Sequence, residues 1–281
     1  MLRKTPYLAL AWFAASLLAG AVSAQAPAPF VNSAGMKLVP IKAGTYLFAG
    51  KHLDNPFLFP QPTSFTVTLD HDFYLGTTEV TQEQYQKVMG SNPSVFRAPN
   101  HPVDSVSWDE AMAFCQRLSA QAAEKAAGRV YSLPSERQWQ FAARAGSDSL
   151  FPYGNDDETK IATVAVCRDS YTDARPTATG PAGGKQPNAW GLYDVLGNVW
   201  EWCLDCQPLL DAAGTVVAVN VSDYTSRDLV WDKGEGRVIV GGGWDNDFRA
   251  CNLAARYGVY PTRKANDIGF RVRCIVGGEA K

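Results

Sequence analysis

The sequence predicts an α+β fold in a single domain that is low in regular secondary structure. Capped, amphipathic helical patterns crowd into residues 81–146. Short alternating apolar runs precede them. The stretch from 147 to 273 is rich in Gly, Pro, Asn, Asp and aromatic residues, the composition of short strands and turns rather than long helices. No repeat of fixed period and no shift in composition marks a second domain.

The first 24 residues read as a secretory signal peptide. Arg3 and Lys4 form a basic start, Tyr7 to Gly20 is apolar and uncharged, and Val22-Ser23-Ala24 supplies small residues for cleavage near Ala24. The alternative is an uncleaved N-terminal anchor, for which the apolar run is short. Export into the periplasm is the expectation, with residues 25–35 as a linker and 36–281 as the domain. The leader carries two cations and no anions, so the mature chain is more acidic than the formal −2 of the full chain. That charge excludes a nucleic-acid partner and disfavours an anionic membrane surface. No later run is long enough to insert in a bilayer. The sequence carries no sign of oligomeric state.

Met36 to Phe48 reads as two short strands with a turn at Ala43-Gly44, and Phe65–Leu69 and Phe73–Gly76 as two more. Thr81 with Gln84 three residues on forms a helix start, presenting Tyr85, Val88 and Met89 on one face. Ser107 opens a second helix over 108–127, with Trp108, Ala111, Phe114, Cys115 and Leu118 at helical spacing. Ser135 opens a third, ending near Gly146. Trp108, Trp139, Trp200 and Trp202 are expected in the core. Glu136 and Arg137 are expected to make structural hydrogen bonds. Gly241-Gly242-Gly243 suits positive φ or close backbone approach.

His52, His71 and His101 lie far apart, so a three-His metal centre would need every histidine of the chain. The six cysteines all follow the leader, and an even number in an oxidising compartment favours disulfides over redox catalysis at Cys203-Leu-Asp-Cys206. No dinucleotide fingerprint is present, and no organic cofactor is expected. Asp194 and Glu201 flank a Gly-Asn turn that could wrap a hard cation, or could be a turn with solvated or salt-bridged acids. Asp245, Asn246 and Asp247 offer carboxylates that could act as a general base, or form a polar turn.

Four segments, taken together, carry a resemblance. They are Glu79-Val-Thr-Gln-Glu-Gln-Tyr; Pro102-Val-Asp-Ser-Val-Ser-Trp with Leu133-Pro-Ser-Glu-Arg-Gln-Trp; Pro187 through Trp202; and Gly241-Gly-Gly-Trp with Ala255-Arg256 and Ile268-Gly-Phe-Arg271. In this order they resemble the formylglycine-generating-enzyme, or sulfatase-modifying-factor, family over residues 36–273. The resemblance implies an atypical C-type-lectin-like fold. It also implies a structural calcium ion held by Asp194 and Glu201 side chains and by the Gly197 and Val199 carbonyls. The family's second calcium region reads Ala162-Thr163-Val164 here and lacks the expected asparagine. The family's enzymes oxidise a substrate cysteine with two cysteines and copper. The first of those positions is Asn246. The second is Cys251 when counted from Asn246, but the count from Ala255-Arg256 shifts by three. A dithiolate copper site and sulfatase activation are therefore not expected.

The resemblance also implies a Cys115–Cys274 disulfide. The other four cysteines, Cys167, Cys203, Cys206 and Cys251, can pair three ways, with Cys203–Cys251 as the candidate second pair. An exported branch of the family lacks the copper cysteines and oxidises the chromophore of a peptide siderophore, dihydropyoverdine to pyoverdine. Resemblance to that branch implies a peptide-derived small-molecule substrate, with Asp245, Asn246, Asp247, Cys251 and Arg256 as candidate catalytic residues. The alternative from another class is a non-catalytic, lectin-like binding module.

Overall fold

The computed structural model describes residues 27–48, 65–154, 160–169, 176–208 and 235–277. The leader and its cleavage site therefore lie outside the described residues, as does His52. Among the described residues no helix is long and apolar enough to cross a membrane.

The first four strands are β1 (Phe30–Val31), β2 (Lys37–Ile41), β3 (Gly44–Phe48) and β4 (Phe65–Leu69), followed by β5 (Phe73–Gly76). Helices α1 (Gln82–Met89), α2 (Trp108–Ala120) and α3 (Ala122–Ala126) come next, then β6 (Arg129–Ser132), α4 (Glu136–Arg144) and α5 (Ile161–Val164). Strands β7 (Trp200–Pro208), β8 (Glu235–Val240), β9 (Arg256–Val259), β10 (Ile268–Gly269) and β11 (Arg273–Val276) complete the chain. Their mixture confirms the α+β class.

Each of the three main helices starts on a capping box. Thr81, Ser107 and Ser135 accept from the backbone N–H three residues on, and Gln84, Glu110 and Gln138 reach back to the cap. The second helix is shorter than its pattern suggests. It breaks at Gln121, whose φ/ψ is extended, because tertiary bonds claim the next turn: Ser33 N–H donates to Glu124 Oε1 at 2.7 Å, and the Tyr131 hydroxyl donates to Glu124 Oε2 at 2.5 Å.

The strands form a five-stranded sheet in the order β1-β2-β5-β11-β6 and a four-stranded sheet in the order β10-β7-β8-β9. A separate β3–β4 hairpin completes the set. The expected strand pair at 36–48 is two strands, but they do not pair with each other. β2 lies between β1 and β5, and β3 pairs with β4. The short link between β10 and β11, carrying Phe270, Arg271 and Val272, passes from one sheet to the other and plants Arg271 between them.

Two apolar clusters fill the interior. One gathers Trp108, Phe114, Leu118, Trp202 and Phe270, with Phe114 edge-on to Phe270 at 5.3 Å. The other gathers Trp139, Leu192, Leu196, Val238 and Val240. All four expected core tryptophans are buried. A side chain of this size removed from water contributes about 2–3 kcal/mol, so the aromatic interior compensates for the scarcity of regular structure. A register shift in β7 between Trp202 and Cys206 turns Asp205 toward α4, where it accepts from Glu136 N–H at 2.6 Å.

Candidate functional site

The turn from Asp194 to Glu201 needs unusual backbone. Asp194, Gly197 and Asn198 all have positive φ. A Cβ on Gly197 would lie 2.4 Å from the Val166 carbonyl oxygen, so only glycine fits. The turn brings Asp194 and Glu201 into the interior with Glu79, and Arg271 enters from the link between the sheets. All four are at most 2% exposed.

Arg271 grips Glu201 with two hydrogen bonds, Nε to Oε2 and Nη2 to Oε1, both 2.6 Å. Trp139 Nε1–H donates to Glu201 Oε2 at 2.7 Å. Asn198 Nδ2 donates to Glu79 Oε1 at 3.0 Å, and Gly183 N–H donates to Asp194 Oδ2. Glu79 Oε2 and Asp194 Oδ1 are buried with no donor from elsewhere in the described residues. Burial first, and Asp194 second, push the Glu79 carboxyl well above its ordinary range. Burial likewise raises Asp194, whereas a hydrogen bond from Glu79 favours its ionised form. A proton on Glu79 donated to Asp194 would satisfy both carboxyls. Burial alone would lower the Arg271 pKa, but the charge of Glu201 outweighs it and the guanidinium stays ionised.

A calcium ion on the expected ligands would share Glu201 with Arg271, while Asp194 Oδ1 is left without a protein donor. Three of the four lone-pair directions of Glu201 are taken by Arg271 and Trp139. The countercharge of Glu201 is the Arg271 guanidinium. Gly197 and Asn198 are pinned through their N–H groups to the Gly241 and Val166 carbonyls. The predicted salt-bridged alternative for the two acids describes Glu201.

The second region is the loop after β8. Gly241 and Gly242 have positive φ. A Cβ on Gly242 would meet Cys251 Sγ at 2.6 Å, and one on Gly243 would crowd Trp200 and Asp267. Asn246, at the position of the first copper cysteine, has its side-chain oxygen fixed by Trp200 Nε1–H at 2.7 Å and Gly243 N–H at 2.9 Å. Asp247 Oδ1 accepts from Arg249 and Ala250 N–H, the polar-turn reading of that residue. Asp245 stands at the surface, its side chain 63% exposed and 3.4 Å from Arg168. Arg256 lies in β9 and makes a two-pronged bond to Glu136, at 2.6 and 2.9 Å. It thus serves the packing of α4 against the second sheet, and the expected structural hydrogen bonding of Glu136 is observed. The five candidate catalytic residues therefore divide into one exposed carboxylate, paired with Arg168 at the surface, and four groups turned to partners within the protein.

None of the expected disulfides is formed. The Cys274 thiol faces the Tyr131 hydroxyl instead of Cys115, because β11 is sandwiched between β5 and β6 and its register sets Cys274 opposite Tyr131. The Cys251 thiol donates to the Gly243 carbonyl at 3.7 Å and has the Cys167 thiol, not Cys203, as its thiol neighbour. Sequence reasoning left Glu79, Arg271 and Cys167 without a role. Glu79 and Arg271 stood inside two of the quoted motifs, and a buried guanidinium needs a carboxylate, but partners 70 or more positions apart cannot be matched by spacing alone.

The two-sheet α+β architecture, the Gly-Asn turn over a buried Arg–Glu pair and the glycine loop after β8 define one domain class. The chain belongs to the family of the sulfatase-modifying factor enzyme 1-like domain, whose profile matches residues 24–274. Among relatives, it is 34% identical over 194 residues to the formylglycine-generating enzyme of Thermomonospora curvata, covering 65% of this chain and 58% of that one. It is 30% identical over 244 residues to the chaperone protein LppX of Paenibacillus barcinonensis, covering 72% and 78%. The chain thus spans less than two thirds of the Thermomonospora enzyme. Among solved structures, Treponema denticola variable protein 1 superposes with a TM-score of 0.68 at 26% identity, covering 89% of this chain and 99% of that one. PvdO from Pseudomonas aeruginosa superposes with a TM-score of 0.69 at 24% identity, again over 89% and 99%. At that identity the likeness to PvdO speaks for the fold.

Proposed function

We propose that the chain is an exported oxidoreductase that matures the chromophore of a peptide-derived siderophore, dihydropyoverdine to pyoverdine, without a dithiolate copper centre. The observation that carries this reading is Asn246. It replaces the first copper cysteine, and its side chain is committed to Trp200 and Gly243, so the loop after β8 offers no thiolate pair to bind Cu(I). What the loop offers outward is Asp245. The substrate class rests on the sequence resemblance to the exported branch, and the export on the leader at 1–24.

In this reading the dihydro-chromophore loses two electrons and two protons. Asp245 takes the first proton as general base, and dioxygen receives both electrons and both protons and leaves as hydrogen peroxide. Asp247, engaged with two backbone N–H groups, shapes the turn that presents Asp245.

A second reading is a lectin-like binding module. It is favoured by the engagement of Asn246, Asp247, Cys251 and Arg256 with their own protein, which leaves a rigid, pre-shaped surface around Asp245 and Arg168. Oxygen consumption and hydrogen peroxide release by the purified protein with the dihydro-chromophore separate the two. Asp245→Asn should abolish turnover with the thermal transition unchanged, while Asp247→Asn should retain most of it. Turnover that survives Asp245→Asn removes Asp245 from the mechanism, and binding of the chromophore with no oxidation selects the binding module.

A further inference from the structure

We propose that Cys167 and Cys251 form a disulfide that staples the segment after α5 to the loop that presents Asp245. The two thiols are in hydrogen-bond contact, both residues are fully buried, and both belong to the same apolar cluster. The backbones beside them are laced together at several points. Arg168 N–H donates to the Asn246 carbonyl at 2.8 Å, Phe248 N–H to Asp169 Oδ2 at 2.8 Å, and the Arg168 guanidinium to the Asp245 carbonyl. These bonds hold the two cysteines opposite each other before any covalent link exists. Gly242 completes the site: it has no Cβ where the Cys251 sulfur sits. Cys203 shares the cluster, but its neighbours are Asp205 and Glu136 rather than either thiol.

The reaction is thiol–disulfide exchange with an external disulfide, small or protein-borne. One thiolate attacks the incoming disulfide to give a mixed disulfide, and the second displaces the remaining half. The cysteine pair loses two electrons and two protons, and the oxidant leaves as two thiols. The contact with Cys167 first, and burial second, hold the Cys251 thiol protonated in the folded chain, so the bond closes during folding, while the loop after β8 is still open. Once closed, the only cysteine of that loop is withdrawn from chemistry and the loop is fixed over residues 165–169. The pairing is independent of the proposed oxidation, and its test needs no substrate.

The experiment refolds the full-length chain in a glutathione redox buffer, blocks remaining thiols with N-ethylmaleimide in denaturant, and maps the unreduced digest by mass spectrometry. The expected result is a peptide linked through Cys167 and Cys251. Recovery of both cysteines as their maleimide adducts, or of Cys251 linked to Cys203, overturns the proposal. A thermal melt of the same oxidised sample with and without reductant should show a fall of about 5–15 °C in Tm on reduction. Cys167→Ser and Cys251→Ser should each abolish that difference. An oxidised wild-type chain whose Tm does not respond to reductant contradicts the staple, and both wild-type measurements stand even if a serine variant fails to fold.

Discussion

Replacing Arg271 by methionine keeps the length of the side chain and removes its charge. In the native chain Arg271 makes two charge-assisted bonds to Glu201 at 2.6 Å and bonds the carbonyls of Tyr193, Gly76 and Asp194 at 3.0, 3.3 and 3.4 Å. It is fully buried, as is Glu201 within 1%. Its loss leaves the Glu201 carboxyl in the interior beside Asp194 without its countercharge, with Trp139 Nε1–H as its remaining donor. Breaking a buried pair in this way costs about 3–5 kcal/mol. At about 2–4 °C per kcal/mol for a chain of this size, Tm should fall by roughly 10 °C. The assay is thermal unfolding followed by circular dichroism for the wild type, Arg271→Met, Glu201→Gln and the double variant. Neutralising both partners removes the stranded charge while the glutamine oxygen still accepts from Trp139, so the double variant should be more stable than Arg271→Met alone. An Arg271→Met transition within about 1 kcal/mol of wild type, or a double variant less stable than that single one, would refute the assignment of Arg271 as the countercharge of this turn.

Two further outcomes follow from the same geometry. Burial first, and Glu136 second, lift the Asp205 carboxyl to about 6. Because the folded pKa lies above the unfolded one, its contribution is fully present below the ordinary aspartate range and is lost as pH rises toward 6, a change of about 3 kcal/mol. Asp205→Asn should therefore gain stability relative to wild type as pH goes from 4 to 7 in denaturant titrations; a difference that stays constant with pH contradicts this. Gly197→Ala places a Cβ against backbone atoms of Val166 rather than a side chain that could move aside, and at a positive φ. It should lower stability by more than about 3 kcal/mol, and an alanine variant that melts within 3 °C of wild type would show that the turn can relax.

The parts of this fold that were legible in the sequence are those whose partners are near in the chain. The capping residues Thr81, Ser107 and Ser135 announce their helices because the bonds that close each box span three residues. The tryptophans announce burial by size alone. Pairing was not legible. β2 was expected to turn back onto β3, but its neighbour is β5, and β11 lies between β5 and β6. No local spacing encodes those registers. The helix over 108–127 stops early because Ser33, 91 positions from Glu124, and Tyr131 take hold of that glutamate. In the site, the motif located the turn at 194–201 and the loop at 241–256, and it flagged Asn246 as the missing thiol. It could not show that Arg271 occupies the centre of the carboxylates, or that Cys251 faces Cys167.

The proposed oxidation of a peptide-borne chromophore by a chain without the copper cysteines can be followed directly. The most direct measurement is incubation of the purified protein with the dihydro-chromophore in air-saturated, chelator-treated buffer, recording chromophore fluorescence and hydrogen peroxide together. The fluorescent product and peroxide should appear in equal amounts, and both should vanish with Asp245→Asn. Substrate recovered unchanged from folded protein, at the rate of a protein-free control, would contradict it.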